Sequence, residues 1–187
     1  MCQGCQNKVV ERAAYRVDHV GSFLRPKELV EAREKFSKGE ISQEELTKVE
    51  DKTITELVEK QIANGLKGVT DGEFRRAYWH LDFFWGLNGV EHVQGEKGYP
   101  FKGIETKPDT AKVSGKISGE NHPFVAHYKF LRDLVADKEG VTVKLTIPSP
   151  SQLYFELIRT EDHIKGYEKF YPTFEELKDA IVAAYKQ

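Results

Sequence analysis

Between Ser42 and Gly65 the chain writes a helix, and two residues later it writes a strand. Ser42-Gln43-Glu44-Glu45 is a capping box, in which hydroxyl and carboxylate satisfy each other's backbone N–H groups. Leu46, Val49, Ile54, Leu57, Val58 and Ile62 then recur at three- and four-residue intervals until Gly65 stops the run. Lys67–Thr70 is short and β-like, and it empties directly into Asp71, Glu73, Arg75, Arg76 and His80, with Tyr78 and Trp79 among them. A helix joined this tightly to a strand favours a layered α/β arrangement, because the helix must cover the sheet that it feeds.

The rest of the chain repeats the alternation. Tyr15–Val20 reads as a first strand, followed by GSFLRP and a helix from Pro26 to a stop at Gly39. Residues 86–110 are rich in Gly, Pro and Lys and suggest a loop carrying a small hairpin, inserted over a site. Lys112–Ser118 reads as a third strand. Pro123 opens a helix through Phe124, Tyr128, Leu131, Leu134 and Val135, which Gly140 ends. Thr142–Ile147 reads as a fourth strand, leading into PSPSQLYFEL, and a second capping box, Thr173 with Glu176, starts a final helix. The order predicts a parallel sheet with right-handed crossovers, whose chemistry lies where the carboxyl ends of the strands meet their loops. HVGSFLRP, DGEFRR and IPSPSQLYF all leave strands at that end.

Composition excludes several classes. Basic and acidic residues number 28 and 30, for a net charge of −2, so no basic surface argues for a nucleic-acid partner. No apolar run approaches the roughly 20 residues that span a bilayer. The start, MCQGCQNKVVER, has no apolar core of a signal peptide, and a cytoplasmic location is expected. Both cysteines, Cys2 and Cys5, lie in that start, spaced CxxC without the second pair that a closed zinc site needs. Residues 1–14 are expected to form a flexible tail, and no bound metal is expected.

With GSFLRP after the first strand, TDGEFRRAYWH after the second and KLTIPSPS at the fourth, residues 15–187 resemble the cobalamin-independent methionine synthase family, in particular its short, single-barrel, methionine synthase II-like members. The resemblance implies a (β/α)8 TIM barrel. Such a barrel needs ~250 residues, so a chain of 187 is expected to hold the N-terminal half, about four β/α units. In activity it implies a methyltransferase that moves a methyl group, from a methylfolate donor, to the thiol of homocysteine. Zinc serves in that family to lower the thiol pKa, through His, Cys and Glu ligands on later strands. No cysteine follows Cys5 here. No residue of this chain is therefore assigned a catalytic role.

The resemblance carries over several binding residues. Glu73 matches the glutamate that takes the substrate ammonium, against a plainer reading as an ion pair with Arg75 or Arg76. Gly21 and Ser22 match the first-loop pair that holds the amino-acid end. His19 stands beside them as a candidate, or as a packed strand-end histidine. Asp71 is a further substrate-binding candidate, expected to act from behind by orienting Arg75 or capping the following helix. Tyr78, Trp79, Phe83, Phe84 and Trp85 are expected in the core. Where folate-using members place a stacking tryptophan, this chain offers Tyr154 and Phe155 as donor-binding candidates. Two alternatives stand beside the methyltransferase: a non-catalytic half-barrel that binds or interacts, and another thiol-alkylating enzyme of the same barrel superfamily. Open sheet edges, and Ile181, Val182 and Tyr185 facing water on the last helix, predict a homo-oligomer or a partner that carries the other half.

Overall fold

The computed structural model describes residues 18–95, 98, 102–103 and 106–187. The tail with Cys2 and Cys5, residues 15–17 of the expected first strand and part of the 86–110 segment lie outside the described residues. Asp18–Val20, the rest of that expected strand, form no strand.

Helix α1, Lys27–Ser37, starts behind Pro26, which stands at the cap and not inside the first turn, and Gly39 ends it at φ 72°. Helix α2, Gln43–Ala63, has the expected capping box: Ser42 Oγ accepts from Glu45 N (3.2 Å) and Glu45 Oε2 from Ser42 N (2.8 Å). Strand β1 is only Gly68–Val69, and it pairs in parallel with β4, Thr142–Val143. Leu29 of α1, Ile54 and Val58 of α2, Val69, Phe74, and Leu131 and Val135 at helix α4, Pro123–Leu134, bury one cluster around this pair. Glu50 is buried between two cations, Arg33 (2.9 Å) and Arg75 (3.3 Å), which ties α1 to α2 and to the segment after β1.

A second cluster lies around a long hairpin. Helix α3, Leu81–Trp85, leads into β2, Asn88–Gln94, which pairs antiparallel with β3, Asp109–Ser118, with an irregularity between Asn88 and Val90. Lys112–Ser118 is thus not a third strand of a parallel sheet; it is the returning arm of this hairpin, which extends the expected 86–110 insertion to residue 118. Three helices cover it: α5, Pro150–Leu157, α6, Glu161–Glu168, and α7, Phe174–Lys186. Leu81, Phe84, Val113, Leu153, Leu177 and Ile181 close the core between them. Tyr171 Oη accepts from Ile117 N (2.6 Å), and Gly119 N donates to Gln187 Oε1 (2.6 Å), so both ends of the helical layer are pinned to β3.

Two further expectations are corrected here. PSPSQLYFEL is not a loop, because Ser149 caps α5 and Pro150 occupies its first turn, where its missing N–H costs nothing. On α7, Ile181 is buried and Tyr185 half-buried with its Oη donating to Pro148 O (3.1 Å); of the three residues expected in water only Val182 is exposed. The architecture is α/β, and its described sheets are short: one parallel pair and one hairpin.

Candidate functional site

The turn that leaves β1 is held by side-chain hydrogen bonds to its backbone. Gln61 on α2 brackets Thr70, with Nε2 donating to its carbonyl (2.8 Å) and Oε1 accepting from its N–H (3.0 Å). Thr70 Oγ1 accepts from Gly72 N (3.1 Å) and Asp71 Oδ1 from Glu73 N (3.0 Å). These bonds hold Gly72 and Glu73 consecutively in the left-handed region, at φ 64° and 58°. For glutamate that conformation costs about 1–2 kcal/mol. At Gly72 a side chain would be crowded as well as strained, since a Cβ there would meet Leu57 Cδ2 at 2.5 Å. Asp71 is buried, and burial raises its carboxyl pKa against the opposing pull of the Glu73 N–H, Arg76 and Arg75. Neither expected role of Asp71 is realised: it accepts within a turn and caps no helix, the next of which has His80 at its cap, and Arg75 pairs with Glu50 and Asp51.

The turn aims Glu73 back over the strand end. The residue is 5% exposed, and its carboxylate meets three groups: Ser22 Oγ donates to Oε2 (2.5 Å), Thr146 Oγ1 donates to Oε1 (3.0 Å), and Arg76 Nη1 lies 3.5 Å from Oε1. Ser22 comes from the first loop, Thr146 from the extended segment after β4. Arg76 itself donates to Thr146 O (2.6 Å) and Trp79 O (3.3 Å), and its guanidinium lies over the Phe124 ring at 4.5 Å. Burial lowers the Arg76 pKa, against Asp71 and Glu73, which raise it. Arg25 ties the arrangement from behind, donating to Glu73 O (2.9 Å) and Arg76 O (2.8 Å), while Phe23 N donates to Gly72 O (3.2 Å).

The result is a cleft of about 420 Å³ with Glu73 and Arg76 at its base, Gly21 and Ser22 on one wall, Thr146 on another, and Val20, Trp79 and Ile147 at its rim. Gly21, at φ 92°, turns the first loop there. His19 stands beside it, donating from Nε2 to Gly21 O (3.0 Å) and stacking on Phe23 at 3.8 Å. The structure therefore brings Gly21, Ser22 and Glu73 together and places Asp71 beneath them. Tyr154 and Phe155 do not join them. Tyr154 packs on Phe174 (4.7 Å) beside a separate cavity, and Phe155 is exposed on α5.

Sequence reasoning missed Thr146 and Arg25, and it placed Trp79 in the core. The signal for Thr146 was its place at the end of an apolar run; nothing in the GSFLRP stretch showed which backbone Arg25 would reach. Trp79 is 52% exposed and lines the cleft, whereas Phe83 and Phe84 are buried as expected. Among the described residues no group of three or more His, Cys, Asp or Glu side chains is placed to hold a metal ion, and no helix is long and apolar enough to cross a membrane.

The α/β fold resembles that of vitamin-B12-independent methionine synthase-like structures. A protein of Listeria monocytogenes provisionally named a vitamin-B12-independent methionine synthase superposes with a TM-score of 0.62 at 36% identity, over 89% of this chain and 49% of that one. Two curated proteins of Bacillus subtilis (strain 168) are similar in sequence: the uncharacterized protein YxjH, 44% identical over 152 residues, 81% of this chain and 40% of that one, and the uncharacterized protein YxjG, 40% identical over 177 residues, 94% and 46%. The chain thus spans less than half the length of these relatives. No family model matches it.

Proposed function

We propose that the cleft binds the amino-acid end of homocysteine, and that the chain carries this binding part of a methyltransferase-like enzyme that passes a methyl group, from a methylfolate, to the substrate thiol to give methionine. The observation that carries the reading is the buried Glu73 carboxylate, held in a left-handed turn at the base of an open cleft. A fixed anion with two hydroxyl partners suits an ammonium ion, and the Gly21-Ser22 backbone beside it suits a carboxylate. The name of the Listeria relative supports the reaction class.

A thiol becomes a nucleophile as its thiolate, and zinc supplies that chemistry in enzymes of this reaction class. The described residues do not fit zinc, since they bring no three suitable ligands together. The chemistry assigned to this chain is accordingly to bind and orient: Glu73 fixes the ammonium, Ser22 and Thr146 hold the Glu73 carboxylate, and Arg76 balances it.

Calorimetric titration of the chain with L-homocysteine tests the reading. Glu73→Gln keeps the shape and removes the charge, and it is expected to weaken binding by about 1.5–3 kcal/mol, the range for a hydrogen bond to a charged group. Binding of homocysteine to Glu73→Gln with the affinity of the parent would remove Glu73 from the site.

A further inference from the structure

We infer that Trp79, with Val20 and Ile147, forms an apolar wall of the Glu73 cleft that sets its specificity, selecting amino acids with extended apolar or thioether side chains over short ones; this rests on the amino-acid reading above. Three large hydrophobic residues stand unusually far into water at one place: Val20 is 75% exposed, Trp79 52% and Ile147 51%. All three line the cavity whose base is the buried pair Glu73 and Arg76.

The exposure of Trp79 is built in. Its carbonyl accepts from Arg76 Nη1 (3.3 Å), its ring packs on that of the buried His80 (4.6 Å), and four and five residues on Phe83 and Phe84 turn into the core. A carboxylate at the base and an apolar rim match a ligand that carries a cation at one end and a hydrocarbon or thioether chain at the other. Each buried methylene then contributes about a fourfold gain in affinity.

The test is calorimetry on the whole chain with L-alanine, L-norleucine and L-methionine, for the parent, Trp79→Ala, Trp79→Phe and Glu73→Gln. Norleucine adds three methylenes to alanine without adding sulfur. With part of that chain left in water, the parent is expected to prefer it by at least about tenfold. Trp79→Ala should lose most of this ratio while still binding alanine, and Trp79→Phe should keep it. Tryptophan fluorescence should respond to norleucine in the parent and not in Trp79→Phe. An unchanged norleucine-to-alanine ratio in Trp79→Ala would overturn the wall while leaving the Glu73 reading intact, because Glu73→Gln would still bind all three ligands more weakly than the parent. A change in sedimentation of Trp79→Ala without a change in this ratio would also overturn it, marking the rim as a protein contact. Failure of the parent to bind any of the three would defeat the amino-acid reading, and the wall with it.

Discussion

Gly72→Ala is the substitution that most directly tests how the cleft is held. An alanine at φ 64° gives up about 1–2 kcal/mol relative to glycine. Its Cβ would also meet Leu57 Cδ2 at 2.5 Å, Phe74 Cε1 at 3.2 Å and Phe23 Cβ at 3.3 Å. The Leu57 methyl can swing aside at about 0.5–1.5 kcal/mol for an off-rotamer torsion. Phe74 is buried and has less room to yield, so crowding of this kind adds ~1–3 kcal/mol. The expected loss is about 3 kcal/mol in urea unfolding. Gly65→Ala is the control: φ is +82° and nothing lies within 4 Å of the added carbon, so only the backbone cost, about 1 kcal/mol, remains. Gly72→Ala should also weaken homocysteine binding, because Gly72 O receives the Phe23 N–H that joins the first loop to the second. Equal losses of stability for the two variants would refute the close packing inferred around the turn.

Burial, with Arg75 and Arg76 next, pushes His127 down to about 4, and burial lowers His80, His122 and His163 as well. Burial favours the neutral form of each; for His127 the stabilisation is complete above the unfolded value of ~6.5 and falls as pH drops towards about 4. His127→Gln should flatten part of that decline in urea midpoints taken between pH 7 and pH 4.5, and an unaltered slope would count against it. Ile181→Ala should cost about 2–4 kcal/mol, against less than about 0.5 for Val182→Ala on the water-facing side of α7; thermal unfolding would show comparable losses if the helix did not pack on the hairpin. The edge of the β1–β4 pair, with Val125 and Tyr128 exposed on α4, predicts association with a second copy or with a chain that supplies further strands. A monomer in sedimentation at micromolar concentration, alone and with such a chain, would refute this.

Signals confined to a few residues were legible. Ser42 and Thr173 cap their helices with Glu45 and Glu176 as the sequence spelled out, and Pro123 opens α4. Pairing between distant segments was not. Lys112–Ser118 alternates in the same way whether its partner is a parallel strand or the preceding arm of a hairpin, and only the register Val90 to Val113 decides. The segment after Pro148 carried its own helix signals, Ser149 and Pro150, but its place behind a strand made it read as a loop. Helix α6 went unseen because Gly166 interrupts its pattern; its close approach to Lys112 Cε, which a Cβ would meet at 2.7 Å, exists only once β3 is in place. In the site, Gly21, Ser22 and Glu73 came from motif matching. Thr146 and Arg25 join through contacts spanning 73 and 48 residues, which no local pattern records.

Among the described residues two positions other than glycine adopt positive φ, Asn121 and Glu73, both at 58°. Asparagine visits that region routinely, and Asn121 sits in a turn just before α4, so it needs no further cause. Glutamate has no such local chemistry. Its conformation persists because Asp71, Arg25 and Gly72 over-determine the turn, and such strain collects where a side chain must be aimed. The aim leaves something usable. Oε1 receives Thr146 and the more distant Arg76, whereas among the described residues Oε2 receives only Ser22. An ionised carboxylate oxygen accepts about two hydrogen bonds, so Oε2 can take one more donor without breaking any bond that folding has made. An ammonium entering the cleft would add to this arrangement instead of competing with it, which is why hydroxyls, and not a close ion pair, are the fitting supports for Glu73.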